Sequence, residues 1–86
     1  MKSFSYTIVD PAGIHARPAG LLARAAKEFM DTQITVSKGD SSAGATQLLK
    51  LLGLGVRAGD SVTVTAEGGS EDAAIAAMEK FFREHL

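Results

Sequence analysis

The sequence predicts an α+β fold: an open-faced two-layer sandwich in which a four-stranded antiparallel sheet carries three helices on one face, in the order βαββαβα. Three observations predict it. Three stretches alternate apolar with hydroxyl or polar residues, the period-two pattern of strands with one face in water: Phe4, Tyr6 and Ile8; Ile34 and Val36; Val62, Val64 and Ala66. Apolar residues elsewhere recur at helical spacing, and Gly- or Pro-containing turns separate the two kinds of pattern. Strands that are polar at alternate positions leave one sheet face wet, so the helices are expected to cover the other.

The elements follow in order. Phe4 to Val9 reads as the first strand, broken by Asp10-Pro11-Ala12-Gly13. Ala16 to about Met30 reads as an amphipathic helix with Leu21, Leu22, Ala25, Ala26, Phe29 and Met30 as its apolar residues, supported by an Arg24–Glu28 pair at i,i+4. Gln33 to Ser37 alternates again with Ile34 and Val36 inward; Lys38-Gly39-Asp40 makes a hairpin turn and a short strand returns around Ser42-Ala43. Thr46 is a candidate cap for a short helix containing Leu48, Leu49, Leu51 and Leu52, which Gly53 and Gly55 stop. After the Ala58-Gly59-Asp60 turn comes the Val62 strand, broken by Gly68-Gly69. Ser70 as N-cap, Glu71 and Asp72 in the first turn and Lys80, Arg83 and His85 near the other end define the last helix, whose buried stripe is Ile75, Met78, Phe81 and Phe82.

Size and composition narrow the function. Eighty-six residues suit one domain, 1–86, and without cysteine neither disulfides nor thiolate metal sites can support it. Nine basic and ten acidic side chains give a net charge of −1, which leaves no field to gather nucleic acid or an anionic membrane, so proteins are the expected partners. The first residues lack the apolar core of a signal peptide and no run reaches the roughly 20 apolar residues of a membrane span, which predicts a cytoplasmic protein. No cofactor or metal is expected: His15 and His85 are far apart in sequence, and His85 reads as a partner for a helix dipole.

The chemistry concentrates in Gly13-Ile14-His15-Ala16-Arg17-Pro18-Ala19-Gly20. Proline is tolerated in the first turn of a helix, where its missing N–H has no intrahelical partner, so Pro18 puts the helix start just after His15. The free N–H groups and positive dipole end there favour an anion, and Arg17 adds a fixed charge that can bond phosphate oxygens in pairs. A neutral imidazole, available near pH 7, is a nucleophile. Asp10 could orient the ring of His15, but no activated serine or cysteine accompanies them as a hydrolytic triad requires.

Gly-Ile-His-Ala-Arg-Pro-Ala resembles the active-site signature of the HPr family, the phosphocarriers of the bacterial phosphoenolpyruvate-dependent sugar phosphotransferase system. The resemblance runs through the chain, including Leu52-Gly53-Leu54-Gly55-Val56 and Val62-Thr63-Val64-Thr65-Ala66-Glu67-Gly68. It implies an HPr-like fold and a monomeric relay protein, not an enzyme acting on a small substrate. Enzyme I would phosphorylate Nδ1 of His15, and a sugar-specific IIA protein or domain would take the group. Arg17 and the backbone N–H groups of Ala16 and Arg17 would hold the phosphoryl oxygens. Both partners would dock on a shallow apolar patch; the matching stretches here are Gly20, Leu21 and Arg24 with Thr46, Gln47, Leu48 and Leu51, taking Leu48 and Leu51 as exposed and Leu49 and Leu52 as buried.

Two departures from the family pattern matter. Gln47 stands where many relatives carry a regulatory serine, with Thr46 just before it, so phosphorylation by an HPr kinase is not expected. Ala12 offers no hydroxyl beside the active site, leaving backbone groups to serve there. The alternatives are a regulatory docking protein that keeps the signature, which intact His15 and Arg17 oppose, and a phosphocarrier of a non-sugar branch.

Overall fold

The structure is a computed structural model that describes residues 1–86. Its elements are β1 (Lys2–Thr7), α1 (Ala16–Ala26), β2 (Thr32–Lys38), β3 (Ser41–Gly44), α2 (Leu48–Gly53), β4 (Ser61–Gly68) and α3 (Glu71–His85). The four strands form one antiparallel sheet in the order β1-β4-β2-β3.

Period-two alternation does what it predicts. Ile34 and Val36 on β2 and Val62, Val64 and Ala66 on β4 are buried, and Ser3, Ser5, Thr7, Ser61 and Thr63 lie on the exposed face. Register places like beside like: Phe4 pairs with Val64 and Tyr6 with Val62, while on the wet face Thr7 pairs with Ser61 and their hydroxyls lie 3.1 Å apart. Phe82 of α3 is fully buried over β1, meeting Phe4 and Tyr6 edge-on at 5.7 and 5.8 Å between ring centroids. Leu22, Ala19 and Ala26 of α1, Leu51 of α2 and Met78 of α3 complete one continuous core.

Several local expectations are corrected. The first helix ends at Ala26, not near Met30, because Glu28 and Phe29 donate to carbonyls only three residues back, at Ala25 and Ala26, and the chain turns toward β2. Met30 is thereby left 84% exposed and Glu28 lies beyond the helix, so the Arg24–Glu28 support does not form. β1 runs from Lys2 to Thr7, earlier than Phe4 to Val9, since the carbonyl of Leu86 takes the N–H groups of both Val9 and Asp10 and turns the chain out of the sheet.

Neither hydroxyl cap forms. Gln47, not Thr46, occupies the cap position of α2, and its Oε1 reaches back to accept from the Gly44 N–H at 3.1 Å. Ser70 does stand at the N-cap of α3, but its hydroxyl donates to Asp31 Oδ2 at 2.8 Å, tying the helix to the start of β2. Glu71 does the local work instead, accepting from the Gly68 N–H at 2.9 Å. That bond, followed by the paired N-terminal amine, holds the Glu71 carboxyl below its ordinary pKa.

Candidate functional site

The β1–α1 connection is fixed at several points before it reaches His15. Asp10 Oδ1 accepts from the Ala12 N–H at 2.8 Å, the carbonyl of Asp10 accepts from the Gly13 N–H, and Gly13 turns the chain with φ +65°. Ile14 is then buried, its N–H bonded to the Val56 carbonyl at 3.2 Å. Asp10 therefore shapes the loop through Ala12 and makes no hydrogen bond to His15, which removes the triad-like reading.

His15 occupies the N-cap of α1 with extended backbone, φ −108° and ψ −178°, and its side chain does not cap the helix. Its carbonyl takes the Ala19 N–H, closing the first turn. Pro18 is buried inside that turn, as the sequence predicts, so the N–H groups of Ala16 and Arg17 remain as the helix-start donors. Half-buried His15 keeps its ring free of hydrogen bonds within the chain. Arg17 is exposed and makes no ion pair.

These groups line one crevice of about 340 Å³, bounded by Asp10, His15, Arg17, Pro18, Leu21 and His85. Two other hollows, of about 460 and 530 Å³, lie beyond the far end of α1 and at the start of α3, and neither contains a histidine. An unbonded imidazole, free backbone N–H groups and an unpaired guanidinium around one crevice are groups that can bind an anion beside a nucleophilic ring.

The patch beside it follows a different phase from the one expected. Leu21 and Leu48 are exposed, at 38% and 39%, and so is Leu49, at 82%. Leu51 is completely buried and cannot be a docking residue; Leu52 is half-buried against the core. Gly20 is half-buried, and Arg24, Thr46 and Gln47 are exposed. α1 packs against α2, which places these residues on adjoining elements. His85 was missed as a site residue, since nothing in the sequence says that the last turn of α3 returns to the loop ahead of α1.

Comparison with known proteins is specific. The family model described as "PTS HPr component phosphorylation site" matches residues 2–84. The chain belongs to the HPr family. Among HPr relatives, the phosphocarrier protein HPr of Mycoplasma genitalium is 38% identical over 92% of this chain and 90% of its own length. A multiphosphoryl transfer protein of Xanthomonas campestris is 46% identical over 84% of this chain, a match that spans only 8% of that longer protein. Among solved structures, HPr from Thermoanaerobacter tengcongensis superposes with a TM-score of 0.91 at 34% identity, covering 98% of this chain and 93% of that one.

Proposed function

We propose that His15 is the residue through which this protein performs its family's task. The protein is a phosphocarrier of the phosphotransferase system, a relay and not an enzyme that turns over a small substrate. One observation supports His15 above all: its imidazole stands unbonded at the start of α1, in a crevice that also holds Arg17.

In the proposed transfer, a lone pair on neutral His15 attacks phosphorus, a P–N bond forms, and the bond to the donor breaks with its electron pair leaving on the donor. The acceptor is proposed to be Nδ1. Arg17 and the N–H groups of Ala16 and Arg17 bind the phosphoryl oxygens through charge-assisted bonds, which favour the anionic group in flight and on the ring. Onward transfer reverses these steps toward the next protein.

Enzyme I is the proposed donor and IIA proteins or domains the proposed acceptors. Both would use the exposed apolar residues Leu21, Leu48 and Leu49, with Gly20, Arg24, Thr46 and Gln47 around them. The test is incubation with enzyme I and phosphoenolpyruvate. One phosphoryl group, labile in acid and stable in alkali, is expected on the parent and none on His15→Ala; equal phosphorylation of His15→Ala would refute the assignment.

A further inference from the structure

The sequence gives His85 no task beyond the dipole of α3, yet it is one of the residues lining the crevice that contains His15 and Arg17. We propose that His85 is a second imidazole of the phosphoryl site, one that hydrogen-bonds the phosphoryl oxygens on His15 and is not itself phosphorylated. This rests on the reading of His15 as the phosphoryl carrier.

Three features of the structure place it there. The carbonyl of Leu86 accepts from Val9 at 2.8 Å and from Asp10 at 2.9 Å, so the residue after His85 is bonded to the loop that leads to His15. Leu86 is buried and Phe81, one turn earlier, is nearly so, which anchors the end of α3 on both sides of His85. The imidazole packs one face on the Phe81 ring, with 4.5 Å between centroids and 33° between planes. A ring held by its face keeps both edge nitrogens available, and neither makes a hydrogen bond within the chain.

The chemistry at that position is suited to a phosphoryl group. Arg17 supplies a permanent charge from α1, whereas His85 supplies a ring N–H able to donate to a phosphoryl oxygen. The titratable and charged groups lining the crevice with it are Asp10 from the β1–α1 loop and His15 and Arg17 at the start of α1. On its own helix, Arg83 is engaged with Glu79 at 3.4 Å and Glu84 is exposed. An imidazolium facing a phosphoryl dianion on His15 forms a charge-assisted bond. A neutral His85 forms a weaker one. The phosphorylated protein is therefore favoured by His85. No bond to phosphorus forms at His85, so transfer balances as it does without it.

The experiment compares the parent, His85→Phe, which keeps the ring contact with Phe81 but no nitrogen, and His85→Asn, which keeps a neutral donor. Each is equilibrated with phosphorylated enzyme I under the same conditions, and its phosphoryl occupancy and thermal midpoint are measured. All three should take phosphate on His15 and melt alike. The equilibrium constant for occupancy of His85→Phe is expected to fall about fivefold, with His85→Asn between it and the parent. A His85→Phe protein with parental occupancy overturns the proposal, and so does phosphate found on His85 itself. Failure of the His15 assignment is separable, because it shows as phosphorylation of His15→Ala whatever residue stands at 85.

Discussion

Replacing Gly13 with alanine should damage this protein more than the same change at a glycine in a turn open to solvent, and the structure says by how much. Gly13 has φ +65°, a left-handed conformation that costs an L-residue about 1–2 kcal/mol. A Cβ there would overlap the carbonyl oxygen of Val56 and lie 2.8 Å from Cα of Arg57, and both are backbone atoms that cannot rotate away. Relief requires the two segments to separate, which strains the Ile14 N–H bond to Val56, about 1 kcal/mol. It also loosens buried Ile14 and Val56, worth about 1 kcal/mol more at the scale of a lost methylene. Reduced freedom of the unfolded chain returns about 0.4–1 kcal/mol. The net loss is about 3 kcal/mol. Gly39 is the control, since its φ is +59° but nothing lies within 4 Å of its added Cβ, so Gly39→Ala should lose only about 1 kcal/mol. For a domain of this size each kcal/mol lowers the midpoint by about 4–8 °C, and the two variants should therefore melt about 8–16 °C apart. Urea unfolding of both proteins measures the same difference. Equal losses at the two positions would refute the argument that the β1–α1 loop is pressed against the Val56 backbone.

The other predictions concern separate parts of the molecule. Arg17→Ala should fold with parental stability and slow transfer to and from enzyme I tenfold or more, about 1.4 kcal/mol in the barrier; unchanged rapid-mixing rates would remove Arg17 from the site. Leu51→Ala should cost about 2–5 kcal/mol in denaturant unfolding, whereas exposed Leu49→Ala should stay within about 0.5 kcal/mol yet weaken partner binding; the reverse ranking would restore the original phase of α2. Thr46→Val should also stay within about 0.5 kcal/mol, and a loss typical of a removed cap would contradict the free hydroxyl. Backbone N–H bonds, from Arg57 to Asp60 and from Gly68 to Glu71, hold both carboxyls below their ordinary values of 3.8 and 4.5, with Lys38 and the N-terminal amine next in effect. A depressed carboxyl stabilises the fold above its unfolded pKa and loses that contribution as pH falls through the folded one. Asp60→Asn and Glu71→Gln should therefore flatten the loss of stability on acidification below about pH 4.5 in acid titrations; an unaltered acid limb would oppose it.

How much of this was legible depended on the kind of information each element carries. β2 and β4 were readable because alternation of Val and Ile with Thr and Ser is a two-residue signal that needs no knowledge of neighbours. The start of α1 was equally plain, since Pro18 tolerates few positions in a helix and the site motif stands beside it. Its end was not. Phe29 and Met30 continue the helical spacing, and only the need to enter β2 at Thr32 ends the helix at Ala26. The phase of α2 was ambiguous for a different reason: Leu48 with Leu51 and Leu49 with Leu52 are both spaced i,i+3, and either pair can be turned inward. What decides is the link from Gln47 back to Gly44, which fixes how α2 leaves β3 and sends Leu51 to the core. Ser70 and Thr46 looked like caps because they have the right hydroxyls at the right places. A neighbouring Asp31 claims the first, and nothing local identifies that competitor in advance. His85 lay beyond reach because its neighbours in the crevice are about seventy residues away along the chain.

The clasp between Leu86 and the loop after β1 has a consequence for how the protein is made. β1 has β4 as its only partner in the sheet, joined in register from Lys2 with Ala66 to Thr7 with Ser61, and the crevice needs both the His15 loop and the last turn of α3. During synthesis the first strand and the His15 loop emerge early and wait for most of the chain. Closing such long loops is slow relative to forming a helix or the β2–β3 hairpin. A ribosome-bound chain that stops before β4 can display the signature residues but has no β1 pairing, no α3 wall and no fixed loop. The crevice as the structure shows it thus forms only once β4 and α3 have been made and joined to the loop after β1.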